Sequence, residues 1–150
     1  MDFNKRLEIL NTAVMALYPS ARFYEAQGIM KETDGDGIKP YVSEIKVVYS
    51  LPINKTLIVT SSDNDPDIPV FEIVDSPWCE DKVMTPFVGM SLEDAFEQIN
   101  KANFVLKDVH VTLRHPLHPK YTRPVYIFGN NKSGGYSVDV MTGDVLIENV

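Results

Sequence analysis

Three histidines, His110, His115 and His118, fall within nine residues of the chain, and clustered imidazoles are the first pattern to test for a metal centre. Their setting argues against one. His110 lies in a run where polar and apolar residues alternate, whereas His115-Pro116-Leu117-His118-Pro119 is a proline-rich loop that would have to fold back to bring its rings alongside. No acidic residue stands at a recognised ligand spacing from them, so no metal is expected. Asp63, Asp65 and Asp67 imitate the first three ligand positions of a calcium loop, but Ile68 occupies the place of the glycine and Val74 that of the bidentate glutamate. Asp34 and Asp36 belong to a separate turn, Thr33-Asp34-Gly35-Asp36-Gly37. Short carboxylates populate hairpin tips because they hydrogen-bond nearby backbone. The functional expectation for these five aspartates is an acidic rim that steers a basic protein partner.

Cys79, the single cysteine, cannot form an internal disulfide, which favours a reducing compartment. Trp78-Cys79-Glu80-Asp81 matches no nucleophile signature, and the adjacent carboxylates would raise a thiol's pKa rather than activate it. A buried or half-buried structural cysteine is expected. Gly134-Gly135 lacks the lysine and following helix of a phosphate-binding loop. The best acid–base set the chain offers is His110, Arg114 and Asp139 on neighbouring strands, and no spacing fixes these residues across a cleft. The chain therefore reads as non-enzymatic and without a cofactor.

The elements that position these residues follow from periodicity. Phe3, Leu7, Leu10, Val14 and Leu17 make one helical stripe, with Asp2 as its cap and Tyr18-Pro19 as its end. Residues 21–31 are rich in aromatic and β-compatible side chains. Tyr41 to Leu51 alternates strictly, and Leu57 to Ser61 and Val70 to Val74 read as two more strands. Ser91 and Asp94 make a capping box for a second helix striped by Leu92, Ala95, Phe96, Ile99 and Ala102. Short strands then follow at 109–113, 124–128, 136–140 and 145–148, the last two joined by a turn at Gly143. The expected fold is α+β, as two tandem units of one helix packed on a four-stranded antiparallel meander: residues 1–75, a connection at 76–90, and residues 91–150. Units of this size bury little core alone, so the halves are expected to pack together or share one sheet.

The chain of 150 residues is 44% hydrophobic and 23% charged, a globular composition. Fourteen basic against 21 acidic residues give a net charge of -7, which excludes general nucleic-acid binding because that affinity comes from clustered Lys and Arg. Residues 1–75 carry 7 basic and 12 acidic side chains and residues 76–150 carry 7 and 9, so the acidity lies mainly in the first half. No window has the length of uninterrupted apolar sequence that spans a membrane. The opening residues Met1 to Arg6 show no export signal, and the expected address is the cytoplasm.

The most specific text is C-terminal: Ser91-Leu92-Glu93-Asp94-Ala95-Phe96, then Pro124-Val125-Tyr126-Ile127-Phe128, then Tyr136-Ser137-Val138-Asp139-Val140-Met141-Thr142-Gly143-Asp144-Val145. This segment resembles the PepSY-like domain, whose pattern is a helix, a Pro-Val-Tyr-like strand and Val-Asp-x-x-Thr-Gly-x-Val. The tandem arrangement is similar to the β-lactamase inhibitory protein family, in which two concave sheets grip an enzyme. The first half carries no PepSY motif, and the chain lacks the cysteines of the secreted inhibitors. The resemblance implies a non-catalytic binder that blocks a partner's surface. Combined with the small size and acidity, it points to a bacterial immunity protein that neutralises a toxin or enzyme, a basic one fitting best. Within Val125-Tyr126-Ile127-Phe128, one alternate pair must face away from the helix. Tyr126 and Phe128, with His110, Arg114 and the acidic turns, are the expected partner-binding residues, and Tyr24, Tyr49 and Tyr136 could extend that surface. The alternatives are a small-molecule or peptide sensor, or a small α+β enzyme with a cup-shaped site.

Overall fold

Asp2 accepts a hydrogen bond from the backbone of Asn4 at 3.2 Å and starts α1, Phe3–Leu17, whose apolar stripe Phe3, Leu7, Leu10 and Val14 is buried. In this computed structural model, residues 2–64, 68–130 and 134–148 are described. Four strands follow: β1 Arg22–Thr33, β2 Gly37–Leu51, β3 Lys55–Ser62 and β4 Val70–Val74. The Ser91–Asp94 capping box is closed in both directions and opens α2, Leu92–Lys101. Then come β5 His110–Arg114, β6 Val125–Asn130, β7 Gly134–Asp139 and β8 Val145–Glu148.

The strands make one antiparallel sheet of eight in the order β4-β3-β2-β1-β5-β6-β7-β8, and this corrects the expectation of two tandem helix-on-four-strand units. The join is backbone pairing of β1 with β5, from Glu25 opposite Arg114 to Ile29 opposite His110. That pairing satisfies the backbone groups which two separate meanders would have left as exposed edges. Both helices share one apolar core on the same side of the sheet. Phe3 of α1 meets Tyr126 of β6 edge-on at 6.2 Å. Asn4 donates to the Tyr126 hydroxyl at 2.9 Å and accepts from the Leu92 backbone at 2.8 Å, tying the start of α1 to the start of α2. Tyr126 in turn donates to the Met90 carbonyl at 2.7 Å.

Register sorts the side chains into two faces. Toward the helices point Ile45, Val47 and Tyr49 of β2, Leu57 and Val59 of β3, Ala26 of β1, Val111 and Leu113 of β5, and Tyr126 and Phe128 of β6. Gly28 belongs to this face because a Cβ there would lie 2.9 Å from Val42 Cγ1 and 3.2 Å from the Phe3 ring. Among the described residues, the opposite face carries no helix.

Candidate functional site on the helix-free sheet face

The helix-free face is lined by Glu44, Lys46 and Val48 of β2, Glu25, Gln27 and Ile29 of β1, His110, Thr112 and Arg114 of β5, and Val125 and Ile127 of β6. Glu25 reaches it through a break in alternation. Phe23 pairs with Tyr49 and Ala26 with Val47, both on the helix side, and the register shift between Phe23 and Glu25 turns Glu25 to the other face.

The connection after β4 crosses part of this face as a strap, residues 76–84. Thr56 donates to the Ser76 carbonyl at 2.7 Å, Lys82 N–H donates to the His115 carbonyl at 2.8 Å, and Met84 N–H to the Phe23 carbonyl at 3.0 Å. An isolated bridge pairs Asp81 with Pro116, and Leu117 N–H donates to the Glu80 carbonyl at 3.2 Å. Val48 and Val125 face the same way as Glu25 and Arg114 and are nonetheless buried.

A charged clasp lies beneath the strap. Arg114 Nε donates to Asp81 Oδ1 at 2.6 Å and lies 3.6 Å from Glu25 Oε2, while its Nη2 donates to the Glu80 carbonyl at 3.1 Å. Trp78 Nε1 donates to Asp81 Oδ2 at 2.7 Å, and Gln27 Nε2 to Glu25 Oε1 at 2.5 Å. Burial pushes the Glu25 carboxyl up to about 8, helped by its hydrogen bond to Asp81 and by that neighbour's charge, and opposed by Gln27 and Arg114. Burial beside Asp81 therefore favours the protonated form of Glu25 at neutral pH. An acid, a carboxylate and a guanidinium are the parts of a general acid–base centre, but the Glu25 and Asp81 side chains are 3% and 0% exposed. With no room for a substrate at either carboxyl, the cluster clasps the strap.

Beyond the strap the face holds a hollow of about 190 Å³ whose walls include Gln27, Ile29, Glu44, Lys46, His110 and Thr112. At its rim His110 Nδ1 lies 2.5 Å from Asp108 Oδ1, which also accepts the His110 backbone N–H at 2.8 Å. The imidazole is thereby held in one orientation.

The expected site residues separate. Asp34 and Asp36 are exposed at the β1–β2 turn. Asp63 is paired with Arg6 at 3.0 Å and Lys31 at 2.9 Å. The Lys31 hydrogen bond, with both cations' charge, holds its carboxyl below the ordinary range. Its partner Arg6 is buried and also bonds Ser61 and the Val42 carbonyl, so this aspartate anchors α1. Asp65 and Asp67 lie outside the described residues. Tyr126 and Phe128 are not on a partner surface: both are wholly buried under the helices, and Val125 and Ile127 take the other face. His110 and Arg114 share the helix-free face but have different partners, and Asp139 is taken by Arg123 at 2.8 Å and by the backbone of Met141 and Thr142.

The three histidines also diverge, with the His115 ring against the Tyr121 carbonyl and His118 accepting from the Lys120 backbone. Cys79, expected to be buried or half-buried, is exposed on the strap. Among the described residues, no three His, Cys, Asp or Glu side chains are grouped to hold a metal ion, and no helix is long and apolar enough to cross a membrane. Glu25 and Asp81 escaped the sequence reading. The one signal was a glutamate inside an otherwise β-compatible run, whose face depends on the bulge. No family model, curated protein or solved structure matches the chain.

Proposed function

We propose that the chain is a non-catalytic protein-binding inhibitor, an immunity protein that neutralises a toxin or enzyme by covering its surface with the helix-free sheet face. The observation that carries this reading is the breadth and mixed chemistry of that face. Charged Glu44 and Lys46, polar Gln27 and Thr112, and apolar Ile29 and Ile127 stand side by side across four strands, a composition suited to a protein interface. The hollow among them, about 190 Å³, is smaller than the roughly 300–1,000 Å³ of small-molecule sites. The partner is a basic protein, since a net charge of -7 speeds its encounter. The C-terminal likeness to PepSY-like domains, carried by Pro124–Phe128 and Val138–Val145, points to the same class.

The test uses the purified product of the neighbouring gene. A one-to-one complex is expected, weakened at least about tenfold by Thr112→Arg at the centre of the face. Ile9→Arg, on the outer side of α1 where Ile9 is 53% exposed, should leave affinity unchanged. Absence of a complex, or equal effects of the two substitutions, would refute the proposal.

A further inference from the structure

The clasp under the strap has one negative group too many. Glu25 from β1 and Asp81 from the strap face a single cation, Arg114 from β5, and among the described residues no other cation forms an ion pair with either carboxylate. The neighbouring elements offer little more. Lys46 of β2 stands one row away, opposite Gln27; Glu80 and His115 meet the clasp and strap through their backbone carbonyls; Lys82 is exposed. From β6, Val125 brings no charge.

We propose that residues 76–84 form a proton-latched strap, held closed over the sheet face by the proton between Glu25 and Asp81 and opened when that proton is lost to solvent. In the closed form Asp81 accepts from Arg114, Trp78 and the protonated Glu25. Without the proton, two buried carboxylates confront one guanidinium, and an unpaired charge at low dielectric is costly. Glu25 is fixed in the middle of a sheet, between β2 and β5. Asp81 is on a segment whose other ties are the backbone bonds at Ser76, Glu80, Lys82 and Met84, the Asp81–Pro116 bridge and the packing of Met84 against the core at the strap's end. The strap is therefore the part that moves, carrying Asp81 into water and adding Val48 and Arg114 to the open face. This device is a property of the fold and stands whether or not the face binds a protein.

Trp78, the chain's only tryptophan, bonds Asp81 directly and reports the strap. In the intact chain, its emission should shift to the red in a single one-proton transition as pH rises toward 8, the closed-form value of Glu25, with closure weakening about tenfold per pH unit below that value and no further above it. Glu25→Gln keeps an N–H donor to Asp81 without a titrating proton, and should hold the blue-shifted emission to about pH 9.5. Asp81→Asn, which leaves Glu25 alone with Arg114, should also abolish the transition. A wild-type chain with no transition between about pH 6 and 9.5 overturns the latch, as does the same transition in Glu25→Gln. Loss of the sheet's circular dichroism at the same pH would overturn it too, because only the strap is proposed to move.

Discussion

Glu25 shows how one side chain ties stability to pH. Its folded pKa, raised to about 8 from an ordinary 4.5, means that the native chain holds a proton which the unfolded chain has released. Stability from this group is fully present below the unfolded value and declines as pH rises through the window up to the folded one. Glu25→Gln removes that dependence while keeping the amide hydrogen bond. We expect it to raise the thermal midpoint at pH 8 by a few degrees, equivalent to ~1–2 kcal/mol, with little change at pH 5. Melting curves at the two pH values check this, and an equal shift at both would count against a protonated Glu25. None of this was legible in the chain: strict alternation puts Glu25 on the face of Phe23, and a single register shift reverses it.

The elements were the most legible level, because each carries its own local signal. The α1 stripe from Phe3 to Val14, the Ser91–Asp94 box and the alternation of β2 from Ile45 to Leu51 are written within a few residues and survive in the structure, whereas Leu17 is exposed and the register shifts around Met30 leave Tyr41 exposed and bury Val42 on the face of Ile45. What local pattern does not contain is the closeness of packing between elements. Gly28 looks like a weak point in a strand, yet it is where the Phe3 ring comes down on the sheet. Gly28→Ala should destabilise by ~1–3 kcal/mol, measured by urea denaturation, since Val42 is a neighbouring strand's side chain and Phe3 is pinned in the core. A neutral result would mean that α1 can shift without cost.

At the scale of the molecule, pairing of β1 with β5 decides the architecture. Each half supplies four strands and one helix, but the Asn4 bonds to Tyr126 and Leu92 and the common core couple them. Urea unfolding followed by far-ultraviolet circular dichroism should show one cooperative transition; two separated steps would indicate halves that fold independently. The candidate site belongs to this scale as well. Residues 76–84 read in the sequence as a connection, and their role emerges only where they meet Glu25 and Arg114, which are 89 positions apart in the chain and directly opposite in the sheet.

By itself, the sequence determined helix and strand positions and the acidity, because periodicity, capping and charge are local or additive. It could not decide which face Glu25 takes, that Tyr126 and Phe128 are core, that Cys79 is exposed, or that eight strands form one sheet. Those outcomes depend on pairing between distant strands and on burial. Tertiary structure alone sets the two carboxylates beside one guanidinium, and in that low-dielectric setting an ordinary glutamate becomes a proton-holding clasp.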